Sequence, residues 1–285
     1  MTPSNSWFRR GAIRGNLREI RLRYARWRYR FGPEELLSFL VNLGIRDGDV
    51  VLTHISYDRF ASFAGKPTDV IDCIQRVVGN RGTLLMPTIP FTGLAVEYVR
   101  EGKIFDVLRT PSQMGLVTEL FRRMPGVVRS VHPTHPVAAW GARAQEMISG
   151  HENCSTPCGR LSPYGRLLDC EGKILLLGTG IRALTFFHTA EEILESGMPF
   201  SPFTREHYSL KSRTREGDIV ESNLRLFDPD ISRKRNIDKL VPALKRRNAF
   251  RCDTIGTVEA ILLEAREVLD VLLLMAEGGQ YCYDQ

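Results

Sequence analysis

Lys173-Ile-Leu-Leu-Leu-Gly178, followed by Thr185-Phe-Phe-His-Thr-Ala-Glu-Glu192, is the stretch on which the fold turns. The first piece is a short apolar run closed by glycine, the pattern of a buried strand. The second opens a helix, so together they read as one strand-to-helix unit of an α/β sheet. A helix starting near Thr185 sets His188 and Glu191 one turn apart on the same face. A carboxylate beside an imidazole orients the ring and supports the charge it gains with a proton, which is what a general base requires. On spacing alone, a surface hydrogen-bonded pair is the commoner outcome, so context must decide.

Moving outward, Arg129-Ser-Val-His-Pro-Thr-His-Pro-Val-Ala-Ala-Trp-Gly141 sets a cation, a hydroxyl and two imidazoles among prolines that forbid helix, an ordered loop rich in ligand-type groups. Strands and helices alternate on either side. Helix Glu34–Leu43 ends at Gly44 before strand Val50–Thr53, and helix Asp69–Val78 ends at Gly79 before strand Thr83–Met86. Thr88 to Arg109 reads as loop. Helix Met114–Arg123, the apolar stretch Val137–Trp140 and helix Arg143–Ser149 come next, then strand Ile174–Leu177 and helix Phe187–Glu195. Glu206–Lys211 and Ile219–Phe227 alternate around the turn Arg215-Glu-Gly-Asp218, a hairpin signature. Ile237–Arg247 and Thr257–Met275 read as two final helices. The pattern is an α/β domain with a smaller β-rich insertion.

Several of these segments, in order, resemble the aminoglycoside 3-N-acetyltransferase family. The likeness runs from about Phe31 to the C-terminal helix. It rests on Asp49-Val-Val-Leu-Thr-His-Ile-Ser56, Gly79-Asn-Arg-Gly-Thr-Leu-Leu-Met-Pro-Thr88, Phe105-Asp106 with Thr110-Pro-Ser-Gln-Met-Gly115, Arg129-Ser130 with His132-Pro133, Leu161-Ser-Pro163, and the His188/Glu191 pair. The resemblance implies an antibiotic N-acetyltransferase-like fold with a mixed central sheet, and acetyl-CoA as cosubstrate with no metal. It departs at Pro136, where the family usually has Ser, and at the additional His135.

Transfer from a thioester to an amine needs the amine neutral and the developing oxyanion supplied with donors. His188 is the expected base, with Glu191 orienting its ring or holding the amine. His54, Ser56, Arg129, Ser130 and His132 are the expected acetyl-CoA-binding residues. Each has a structural alternative: a satisfied strand-end or loop histidine, a serine cap, an arginine paired within the fold. Glu191, Glu192 and Glu195 form the evident acidic cluster for a cationic acceptor. Acceptor readings are an aminoglycoside or related amino sugar, or a nucleotide- or lipid-linked amino sugar of surface-glycan or natural-product synthesis. A non-catalytic scaffold of the same fold is the reading from another class.

Composition agrees with an enzyme domain: 285 residues, 43% hydrophobic, and no apolar run near the ~20 residues of a membrane-spanning helix. Charge is uneven. Residues 1–32 carry nine arginines against Glu19 alone, a segment charge of +8 that leaves −2 for the remainder out of a total of +6. Within this segment Ile13, Leu17, Ile20, Tyr24, Trp27 and Phe31 recur at helical spacing. This predicts a basic amphipathic helix over residues 1–32 that docks on the body 33–285, on another subunit of a homo-oligomer, or on an anionic membrane surface through residues 9–31. Outside the tail there is no basic excess, so nucleic acid is not an expected partner. The six scattered cysteines read as reduced thiols of a cytoplasmic protein, with the tail allowing a peripheral place at the inner membrane face, rather than as zinc ligands.

Overall fold

The computed structural model describes Tyr24 and residues 27–284. At its centre lie three parallel strands, β1 (Val50–Ile55), β2 (Thr83–Pro87) and the strand Lys173–Leu177, here β6. The remaining strands of that sheet are β4 (Val128–Arg129), β5 (Val137–Gly141), β9 (Arg251–Ile255) and β10 (Val258–Glu264). They give the order β4-β5-β2-β1-β6-β10-β9, with β5 antiparallel to β2 and β10 antiparallel to β6. A second sheet of three strands joins β3 (Phe105–Asp106), parallel, to the hairpin of β7 (Tyr208–Arg213) and β8 (Ile219–Leu224). The mixed sheet with its β-rich insertion is the architecture the sequence predicts.

Strand alternation divides the core into two layers. Val50, Leu52, Ile174 and Leu176 pack on one face with Phe187 and Ala190 of the helix Phe187–Leu194. Val51, Ile55, Leu175 and Leu177 pack on the other with Leu36 and Leu40 of helix Pro33–Leu43 and Ile71 and Ile74 of helix Pro67–Val78. Both of those helices start with proline at the first turn, and the second has Asp69 accepting from the Lys66 amide at 2.8 Å. His54 shares its face with Leu52, so β1 aims it into the layer that carries the His188 helix.

Three segments depart from the sequence reading. Thr257–Met275 is not one helix: Val258–Glu264 is strand β10, and the helix is Ala265–Glu277. The apolar run Val258-x-Ala-Ile-Leu-Leu fits a strand buried on both faces as well as a helix, and pairing with β6 decides it. Its neighbour β9 is a polar, solvent-facing edge that periodicity does not reveal. The stretch Thr88–Arg109 holds the helix Ala95–Arg100 and β3. Phe31, read as part of the tail stripe, is 5% exposed and belongs to the body. Its ring lies 5.2 Å from Phe63 and 6.4 Å from Phe60, and its backbone bonds Ser62 and Ala64. Most of the tail helix reading falls outside the described residues; Tyr24 and Trp27 are exposed. No described helix is long and apolar enough to cross a membrane.

The join of β2 to β5 is a tight backbone approach. Gly141 has φ +114°, and a Cβ there would lie 2.2 Å from the Gly82 carbonyl oxygen. Gly141→Ala is therefore expected to cost about 2–4 kcal/mol in urea unfolding, whereas Gly197→Ala, with open space around it, should change stability by less than about 1 kcal/mol. Equal effects would show that the approach is not rigid.

Candidate active site

The turn Gly178-Thr179-Gly180 carries the chain from β6 into the helix that starts at Phe187, which places His188 in its first turn. His188 Nδ1 lies 2.5 Å from Glu191 Oε2. Glu191 is 1% exposed, and its other contacts come from distant segments: Arg235 Nε donates to Oε1 at 2.7 Å, Arg235 Nη2 to Oε2 at 3.1 Å, and the Tyr283 hydroxyl to Oε1. A carboxylate only accepts, so Nδ1 carries the ring proton and Nε2 keeps its lone pair. Nε2 has no protein partner among the described residues, and 17% of the side chain faces solvent. Phe227, arriving from the end of the hairpin, covers the ring at 4.3 Å. Burial first, and Arg235 second to it in the same direction, push the His188 pKa below its ordinary value against the opposing pull of Glu191. The imidazole is thus neutral at pH 7 with its basic nitrogen open, the form a general base needs.

The acidic cluster is mostly neutralised. Glu191 pairs with Arg235, and Glu195 accepts from Arg225 at 2.7 and 2.8 Å. Glu192 takes the Thr156 hydroxyl and pairs with no cation among the described residues. Glu191 therefore orients the ring; with four donors on its two oxygens it is not free to hold an amine.

The other expected residues separate into two groups. His54, at 8% exposure, and Ser56 stand at the end of β1, where the Ser56 amide donates to the Leu177 carbonyl at 3.0 Å. His54 Nε2 is buried without a partner, as is Thr179 Oγ1 at the adjoining end of β6. The Ser56 hydroxyl makes no cap. These unpaired polar groups lie at the carboxyl ends of the central strands β1 and β6, the end of the sheet where ligands of α/β folds bind.

The loop residues are engaged by the protein itself. Arg129 spends its guanidinium on protein groups: Nε bonds Thr88 Oγ1 at 2.8 Å, Nη2 the Thr88 carbonyl at 2.7 Å, and Nη1 the carbonyls of Thr110 at 2.6 Å and Val107 at 3.2 Å. It lies over Phe105 at 4.8 Å, and burial lowers its pKa to about 9. Ser130 is also saturated. His151 Nε2 donates to the Pro157 carbonyl at 3.1 Å, so His151 Nδ1 accepts from the Ser130 hydroxyl at 2.9 Å, while Ser130 Oγ accepts from the Val137 amide at 2.9 Å. His132 is fully buried and stacked on His151 at 4.1 Å. Its Nδ1 accepts from the His135 amide at 3.0 Å, which leaves Nε2–H buried without a partner. Arg129 and Ser130 thus tie the loop to β2, β5 and their neighbours through protein groups alone.

The family model of aminoglycoside 3-N-acetyltransferase covers residues 52–276. The chain belongs to this family of acyltransferases. It is 31% identical over 257 residues to aminoglycoside N(3)-acetyltransferase VII of Streptomyces paromomycinus, covering 81% of this chain and 86% of that one. Among solved structures it is similar to the aminoglycoside acetyltransferase AAC(3)-Xa, with TM-score 0.77 and 25% identity over 92% of this chain and 98% of the other. AAC(3)-IVa in complex with a gentamicin gives TM-score 0.72 and 25% identity over 88% and 90%. AAC-IIIb with CoASH shares the fold at TM-score 0.73 and 22% identity over 90% and 98%.

Against the family pattern, His135 is the informative departure. Its ring stands edge-on to Phe227 at 5.4 Å, on the ring that also covers His188. The Pro136 carbonyl accepts from the Thr88 amide and hydroxyl at 2.8 and 3.1 Å, so the proline helps to close the loop onto β2. Sequence reasoning missed Arg235, Tyr283 and Phe227. A buried carboxylate demands a cation, but nothing in the spacing says which arginine supplies it.

Arg129→Lys is expected to cost about 2 kcal/mol of stability, because a point charge cannot serve carbonyls in three directions, and to leave the KM for acetyl-CoA within about twofold. A tenfold rise in that KM at unchanged stability would restore a phosphate contact. The buried histidines set a second expectation. Burial lowers the pKa of His54 to about 4 and that of His151 to about 3, and holds His132 and His135 well below the ordinary range. Their contribution is complete above the unfolded value near pH 6.5 and is lost as pH falls, because the unfolded chain then binds protons the fold refuses. Denaturation at pH 8, 6 and 5 should show stability falling by up to about 1.4 kcal/mol per pH unit for each such histidine; a flat profile from pH 7 to 5 would contradict neutral burial.

Proposed function

We propose that this chain transfers an acetyl group from acetyl-CoA to an amine of an aminoglycoside or a related amino sugar. The observation that carries the reading is the open Nε2 of His188, made basic by a Nδ1–H anchored on Glu191. Acetyl-CoA supplies the acetyl group as a thioester: the C–N bond to the acceptor forms, the C–S bond breaks, and CoA leaves as a thiolate that takes up the proton collected by His188, giving amide and thiol. His188 Nε2 removes the proton that the attacking nitrogen sheds, and Glu191 steadies the resulting imidazolium. Phe227 over the ring lowers the local polarity and strengthens that pairing. His54, Ser56 and Thr179, with polar atoms unpaired among the described residues, are the groups of this chain suited to the thioester side. Membership of the family and similarity to AAC(3)-IVa with a gentamicin support the acceptor class, and the fold shared with AAC-IIIb, whose structure holds CoASH, agrees with the cosubstrate.

A second reading changes the acceptor only. Exposed Tyr24 and Trp27, in a segment of charge +8, favour an anionic surface and so a lipid- or nucleotide-linked amino sugar handled by a cytoplasmic enzyme at the membrane face. The intact dyad speaks against a scaffold without chemistry.

The experiment is thiol release from acetyl-CoA across an amino-sugar panel that includes aminoglycosides. His188→Ala is expected to lower kcat by about 10²–10⁴-fold with the circular dichroism spectrum unchanged. Release that survives the substitution removes the base assignment, and no release with any acceptor removes the transferase reading.

A further inference from the structure

The sequence's last residues return to the dyad. After the helix Ala265–Glu277 the chain turns at Gly278 and Gly279, and Tyr283 comes to lie 9% exposed with its hydroxyl on Glu191 Oε1. Its ring stands edge-on to Phe200 at 4.8 Å and 6.4 Å from Phe187, the residue before His188. Several ties hold this tail against the segment that carries Arg235, among them a bond from Lys239 Nζ to the Tyr283 carbonyl. The Asn236 amide donates to the Cys282 carbonyl at 2.7 Å, and the Asp284 amide to the Lys234 carbonyl at 2.7 Å. Asn236 Nδ2 donates to Asp284 Oδ1 at 3.0 Å, and Lys239 Nζ pairs with the same carboxylate at 2.9 Å. The tail lies beyond residues 52–276, which the family model covers.

We propose that Tyr283 is a positioning residue for the His188–Glu191 dyad, delivered by a C-terminal clasp that fixes which carboxylate oxygen faces the imidazole and how strongly it accepts. The inference rests on the transferase reading for its consequence in rate, but not for its linkage to His188. Glu191 Oε1 takes Arg235 and Tyr283, which turns Oε2 toward His188 Nδ1. Donors on a carboxylate share its charge, so the phenol tempers the pull of Glu191 on the ring proton. Without it Oε1 keeps one donor, the carboxylate is freer to rotate, and its stronger acceptance at Oε2 favours the imidazolium. The charged or titratable groups that face His188 are Glu191, Arg235 and, beyond Phe227, His135. The neighbouring Tyr281 offers a control: its hydroxyl donates to the Gly197 carbonyl at 3.0 Å on the exposed side of the same tail.

The test compares Tyr283→Phe, which keeps the ring and its packing, with Tyr281→Phe. The readouts are NMR titration of the His188 imidazole, assigned by its loss in His188→Gln, and steady-state kinetics at saturating acetyl-CoA. Tyr283→Phe is expected to raise the His188 midpoint by roughly 0.5 pH and to lower kcat roughly 3- to 10-fold at unchanged KM for acetyl-CoA. Tyr281→Phe should move neither. An unmoved midpoint in Tyr283→Phe overturns the proposal whatever happens to kcat, since a merely structural phenol would lower activity only in step with stability. A raised midpoint at unchanged kcat overturns the positioning role. The titration needs no turnover, so a chain inactive on every acceptor would sink the transferase reading and leave the midpoint to decide this one.

Discussion

A carboxylate at 1% exposure organises this molecule. Left alone, a buried Glu191 would cost several kcal/mol in lost hydration, so the fold converges on it. The helix after β6 brings His188, the segment after Pro229–Lys234 brings Arg235, and the C-terminal tail brings Tyr283. Three stretches far apart in sequence meet at two oxygen atoms. Because all four donors are supplied by the protein, the carboxylate is fully occupied in holding the orientation of the imidazole.

The His188 imidazole reflects a balance of opposed effects. Burial and the Arg235 guanidinium disfavour a proton on His188, and Glu191 favours one. Burial wins, but the carboxylate limits how far, which leaves a neutral ring that a nearby carboxylate still favours as an imidazolium. Phe227, which covers His188 at 4.3 Å, follows strand β8 of the β-rich insertion, so the smaller sheet takes part in the site instead of decorating the domain.

The loop between β4 and β5 solves a different problem. Prolines remove its backbone donors and keep it out of regular structure, so its polar groups need partners of their own. Arg129 satisfies carbonyls of three residues, Ser130 links β5 to His151, and His132 collects two amides on one ring nitrogen. The chemistry-bearing residue types that make this loop look like a binding site are largely what lets it stay folded at the sheet edge. The unpaired Nε2 of His132 is the part left over from that task.

By itself, the sequence determined the strands β1, β2 and β6 with the helices that precede or follow them, the hairpin insertion, and the His188/Glu191 pair, because each depends on spacing within a few residues and on the fixed periods of strand and helix. The family followed from colinear motifs for the same reason. Only the tertiary structure decided that Val258–Glu264 is a strand, since a short apolar run suits either period until β6 is there to pair with it. Only it decided that Arg129 and Ser130 serve the loop, and that Arg235, Phe227 and Tyr283 serve the dyad. Hydrogen bonds between residues 41 to 92 positions apart leave no periodic trace in a single chain.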